Sequence, residues 1–141
     1  MASFSKVNIF PYDLMHGYHQ LHAAGHVIRA MLINTAITAT WAVKGDATEI
    51  SAANGYTAGG TDIANDITQS TNVCNMTSTD VVLTGTGGSF GPWRSFLLYN
   101  DTQTAPVKPL IGGWDYGSSV TTNTGETATL DFGAVTYALT G

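Results

Sequence analysis

Residues 85–117, GTGGSFGPWRSFLLYNDTQTAPVKPLIGGWDYG, constrain the fold more than any other part of the chain. They hold two of the three tryptophans, Trp93 and Trp114, and three of the four prolines. Successive residues of a strand point to opposite faces. A strand over 93–99 therefore puts Trp93, Ser95, Leu97 and Tyr99 on one face, and Arg94, Phe96 and Leu98 on the other. Asn100-Asp101-Thr102 ends that run with turn chemistry. After Pro106 and Pro109, a second strand is expected over 110–116. Two strands that are apolar on both faces cannot form an exposed hairpin. They belong inside a sandwich or under another subunit.

The remaining segments fit around that pair. Residues 1–8 read as a mobile arm with Phe4, Val7, Ile9 and Phe10 as apolar handholds, able to dock on its own domain or on a neighbour. Residues 11–24 predict the one helix. Pro11 stands in its first turn, Asp13 near its positive end, Leu14, Met15, Tyr18 and Leu21 on one face, and Gly25 beyond its end. Gly17 in the middle costs about 1 kcal/mol relative to Ala, so packing has to hold this helix. A strand is expected over 26–33, then a loop over 34–48 anchored by Trp41. Turns follow at Asn54-Gly55 and Gly59-Gly60. One or two edge-like strands are expected over 61–77, with Ile63 and Ile67 on one side, and a short strand over 80–84. Residues 118–122 suggest another short strand. Residues 127–132 alternate, with Ala128, Leu130 and Phe132 inward, and 134–140 repeat this through Val135, Tyr137 and Leu139. Many short strands between Gly, Asn and Thr turns predict a mainly β chain. The expected fold is an antiparallel β-sandwich, jelly-roll-like, with one short N-terminal helix, organised as an arm (1–10) and a single domain (11–141).

Composition narrows the function. Charged residues make up 11% of the chain, against roughly 25% in an average globular protein. Its surface must therefore be covered by Thr, Ser, Asn and Gly, as in proteins whose faces are taken up by neighbours. The net charge is −5, and Lys6, Arg29, Lys44, Arg94 and Lys108 are scattered, which argues against nucleic acid as a partner. Cys74 has no second cysteine to pair with. The N-terminal MASFSKVNIFPYD lacks the apolar core of a secretory leader, and no apolar run is long enough to span a bilayer, so no membrane partner is expected.

Chemistry-bearing groups are few. His16, His19, His22 and His26 lie close together, and on a continuous helix the last three would share a face. A Zn or Ni site is the functional reading of that cluster, and a polar helix face is the bland one. No H-E-x-x-H arrangement supplies a base, so the bland one is preferred. The glycine-rich loops at 55–60 and 85–91 lack the lysine and following helix of a phosphate site. Trp114, Asp115 and Tyr116 are spaced as in some sugar sites, and equally as in any buried strand. Glu49 and Glu126 are the only glutamates, and no Ser or Cys stands in a nucleophile motif. No catalytic, cofactor or metal residue is assigned, and no enzyme is expected.

The order of segments resembles a group of small virion structural proteins of tailed bacteriophages. The likeness runs from about Phe10 to the C-terminus, through a strand ending MLINTA, EISAANGYTAGGT, SFGPWRSFLLYNDT, KPLIGGWDYGSSVT and a closing GETATLDF. Its most specific parts are 54–60, 91–102 and 109–119; the histidine cluster lies outside it. The resemblance implies a capsid decoration (cement) protein on the outer surface of the phage head. It would bind the major capsid protein and copies of itself, with no cofactor. A tail or fibre component, or a carbohydrate-binding β-sandwich module, is the alternative. Phe4, Val7, Ile9, Phe10 and Trp41 are the expected interface anchors.

Overall fold

A computed structural model describes residues 4–133 and 137–140. The chain is mainly β, with antiparallel sheets in a sandwich-like arrangement and one short helix. In order the elements are β1 (Ser5–Lys6), α1 (Phe10–Met15), β2 (Ile28–Ile33), β3 (Thr61–Asp62), β4 (Asp66–Ser70), β5 (Val73–Thr77), β6 (Val81–Thr84), β7 (Phe90–Asn100), β8 (Leu110–Thr122), β9 (Thr127–Leu130) and β10 (Tyr137–Thr140). The main sheet runs β1-β8-β7-β2-β3, a second runs β10-β5-β4, and β6 pairs with β9.

The long antiparallel pair β7–β8 sits in the middle of the main sheet, as its two apolar faces require. Phe96 lies opposite Trp114, Leu97 opposite Gly113 and Leu98 opposite Gly112. On the other side β7 meets β2, with Leu32 opposite Phe96 and Met31 opposite Leu97. Phe96, Trp114 and Phe132 form an aromatic cluster, with ring centroids 4.9 to 5.7 Å apart. Such pairs add about 0.5–1.5 kcal/mol each beyond area burial. Strict alternation fails along the pair: the ladder shifts register between Phe90 and Trp93, between Trp93 and Ser95, and between Leu98 and Tyr99. Trp93 therefore shares a groove with Phe96 rather than lying on the opposite face.

Residues 1–3 of the expected arm lie outside the described residues; from Phe4 on, the segment docks on its own domain as part of this sheet. β1 pairs with β8 through Ser5–Gly113 and Lys6–Gly112, and Phe4 packs on Trp114 at 5.0 Å. Val7 and Phe10 are wholly buried, and Phe10 opens α1. The close approach depends on Gly112. A Cβ there would stand 2.3 Å from the Ser5 carbonyl oxygen and 2.7 Å from the Lys6 Cα.

The helix is much shorter than the expected 11–24. Pro11 and Asp13 occupy its first turn as anticipated. Gly17, however, takes φ +81°, which no α-helix contains, and residues 18–27 run irregularly. Leu21 still reaches the core from that irregular stretch, while Met15 is left exposed. The apolar spacing was therefore real in part, but it does not report a helix.

Elsewhere the differences are smaller. Residues 61–77 form three short strands rather than one or two, and 118–122 continue β8 instead of standing alone. Residues 34–48 are irregular, with a 3-10 turn at Lys44–Asp46 and Trp41 half-buried against the core. Ala128, Leu130 and Phe132 are buried as expected. The expectation for Val135 falls outside the described residues.

Candidate functional site

Two layers meet where the irregular segment after α1 faces the three-stranded sheet. In that sheet Ile67 lies opposite Met76 and Met76 opposite Tyr137, while Cys74 lies opposite Leu139. Directly opposed and alternate residues share one face. All five therefore point the same way, toward Leu14 and residues 19–22. Met76 is buried, but Ile67 and Leu139 stay 40% and 50% exposed. The layer is thus filled at one end and open at the other, leaving an apolar groove of about 360 Å³. Met15, the most exposed large apolar side chain among the described residues at 91%, follows Leu14 directly.

The wall formed by residues 18–26 is held by Asn65, whose Nδ2 donates to the Leu21 carbonyl at 2.7 Å, by Asp66, which accepts from the Ala23 N–H at 3.0 Å, and above all by Asn100. Asn100 is completely buried at the end of β7. Its Oδ1 accepts from the backbone N–H groups of Thr102 (3.0 Å) and Gln103 (3.1 Å), which orients the amide. Nδ2, with two protons to give, donates to the Tyr18 carbonyl at 3.1 Å and lies within hydrogen-bond distance of Nδ1 of His26 (2.8 Å) and Nδ1 of His19 (3.2 Å). When Nδ1 of His19 accepts one of those two protons, the proton of its neutral ring sits on Nε2. That nitrogen is buried without a hydrogen-bond partner among the described residues. Burial, and secondarily the nearby His26, lowers the His19 pKa to about 4.

This geometry replaces the expected histidine face. His19 and His26 converge on Asn100, while His16 stacks on Tyr18 with ring centroids 4.8 Å apart. No group of three or more His, Cys, Asp or Glu residues is positioned to hold a metal ion among the described residues.

The expected interface anchors sit elsewhere than on an open surface. Val7 and Phe10 are core residues, and Phe4, Ile9 and Trp41 are half-buried against that core. Phe4 also touches Tyr137, 5.9 Å away. Nor do Trp114, Asp115 and Tyr116 converge. Trp114 is buried, Asp115 is bound by Arg94 in a two-bond pair (2.8 and 3.1 Å), and only Tyr116 faces solvent. The groove residues Ile67 and Leu139 were missed as surface candidates. Their only sequence signal was weak alternation, and what they face depends on strand register.

Cations scattered in sequence are gathered in space. The ammonium groups of Lys44 and Lys108 lie 5.5 and 5.9 Å from the centre of the Tyr99 ring. Arg29 lies 3.4 Å from Asp101 across an ion pair. Asp101 also pairs with Lys108, and Glu49 with Lys44, so the cluster is largely neutralised and presents no basic stripe. No described helix is long and apolar enough to cross a membrane. No family model matches the chain, and neither a curated protein nor a solved structure matches it.

Proposed function

We propose that this chain is a non-enzymatic structural protein of a tailed-bacteriophage virion, a decoration protein bound to the outside of the assembled head. Its partners are the major capsid protein and copies of itself. The observation that carries this reading is the half-filled apolar groove between residues 14–22 and the three-stranded sheet, with Ile67 and Leu139 open at its rim. An apolar cleft with exposed edges suits insertion of a side chain or loop from a large flat partner. The low charge and the segment order resembling small phage virion proteins support the same reading. So does the commitment of Asp101, Asp115 and Glu49 to structural pairs rather than to a reactive cluster.

Binding only the assembled shell stabilises it by mass action, about 2.7 kcal/mol per site at a hundredfold excess over Kd. Repeated over a symmetric surface, that resists internal pressure without any chemistry. Removing residues 1–10 is a poor test of shell binding, because Val7 and Phe10 belong to the core. The sharper test is cosedimentation of purified shells with Ile67→Glu and Leu139→Glu variants of retained fold. Loss of binding is expected, and unchanged binding of both variants overturns the groove's role. The copy ratio to the major shell subunit tests the location. A ratio near one, or a simple fraction of it, places the protein on the head; a trace ratio moves it to the tail.

A further inference from the structure

A second cleft, unrelated to the apolar groove, opens over the far end of the β7–β8 pair. It has a volume of about 340 Å³, at the small end of ordinary ligand sites. Its floor is the buried Trp93, whose indole N–H donates to the Thr122 hydroxyl at 3.2 Å. That bond satisfies the indole and leaves the threonine proton free to donate. One wall is Tyr116, 64% exposed, with its ring centroid 6.3 Å from that of Trp93. The facing wall comes from β9 and the turn before it, and carries Glu126 and the exposed Thr127 and Thr129.

Both walls are held in place before anything binds. Arg94 grips the Asp115 carboxylate, which also accepts from the Gly117 N–H at 2.8 Å, so Tyr116 stands between two anchored neighbours. Across the cleft, Oε1 of Glu126 accepts from the Asn123 N–H at 2.8 Å. Its other oxygen makes no hydrogen bond among the described residues. An exposed aromatic ring, a row of hydroxyls and one open carboxylate, all pre-positioned, fit one ligand chemistry. A sugar ring offers an apolar C–H face for the tyrosine and hydroxyl donors for the carboxylate and threonines. Little ordering is left to be lost on binding.

We infer that the cleft between Tyr116 and Glu126, floored by Trp93, binds a saccharide. This site does not use the Trp114 and Asp115 side chains, and it does not depend on the head-shell reading. The test is an amide NMR titration of the full-length protein with glucose, galactose, mannose and N-acetylglucosamine in turn. Saturable shifts are expected at residues 116–117, 121–122 and 126–129 with at least one of these sugars. Tyr116→Ala should weaken that binding about tenfold. Glu126→Gln keeps the turn acceptor but removes the charge, and should also weaken it. Absence of shifts with all four sugars overturns the inference, as does full affinity in Tyr116→Ala. Shifts of the same amides on simple dilution, without sugar, would make a second copy of the chain the occupant and overturn it as well.

Discussion

The side-chain amide nitrogen of Asn100 lies 3.2 Å from Nδ1 of His19, inside a site closed to water on both residues. That pair joins the end of the central strand to the irregular segment that walls the apolar groove. It also ties the wall to pH. His19 is neutral in the folded chain down to about pH 4, whereas an unfolded histidine takes its proton near 6.5.

Stability should therefore fall as pH drops from about 6.5 to about 4, because only the unfolded chain binds the extra proton in that window. The loss should total about 3 kcal/mol. Asp115 and Asp46, whose carboxyls are held below their usual range by hydrogen bonds from Arg94 and from backbone N–H groups, withdraw stability only at lower pH. Urea midpoints measured across this range check the slope. In His19→Gln the slope between pH 4 and 6.5 should flatten, and an unchanged slope would assign it to another group.

Asn100→Ala should be among the most damaging polar substitutions. It strands the N–H groups of Thr102 and Gln103 and leaves His19, His26 and the Tyr18 carbonyl without their common donor. A cost of about 2–4 kcal/mol is expected from the buried groups left unpaired. Chemical denaturation measures it, and a cost below about 1 kcal/mol would contradict the clamp.

Gly112→Ala tests the docking of the N-terminal strand. The new Cβ meets backbone atoms of Ser5 and Lys6, which cannot rotate away as a side chain can. Amide exchange at Val7, whose N–H donates to the Ile111 carbonyl at 3.1 Å, should speed up at least tenfold, a loss of about 1.4 kcal/mol in local protection. Unchanged protection at Val7 would mean that β1 adjusts without leaving the sheet.

Trp114 and Tyr116 stand two residues apart and should answer very differently to truncation. Trp114→Ala removes the centre of the Phe4, Phe96 and Phe132 cluster and should cost about 3–5 kcal/mol. Tyr116→Ala touches an exposed ring and should stay within about 0.5 kcal/mol. Comparable losses in thermal or urea unfolding would refute the placement of one of them.

Much of the architecture was legible in one dimension. The runs over 93–99 and 110–116 are apolar on both sides, and a strand of that kind has to be central. Residues 127–132 alternate because one face of β9 is buried and the other is wet. These are local periodicities, written by whichever side of the backbone meets water. Periodicity misled at 11–24, where burial of Leu21 without a helix imitated a helical stripe and only the φ of Gly17 decided the matter.

Sites are a different kind of fact. That His19 meets Asn100 rather than His22, that Ile67 and Leu139 flank one groove, and that Trp93 faces Tyr116 all follow from strand register and from the irregularities of the β7–β8 ladder. A one-residue slip reverses every side chain on a strand, and register is set by distant partners. The arm made the same point. Its apolar residues declared that they would be buried, but whether by this chain or by a neighbour depended on the space above Gly112. Apolar patterning along the chain says which stretches must leave water; what each meets there depends on pairings between residues far apart along the chain, and those exist only in the folded molecule.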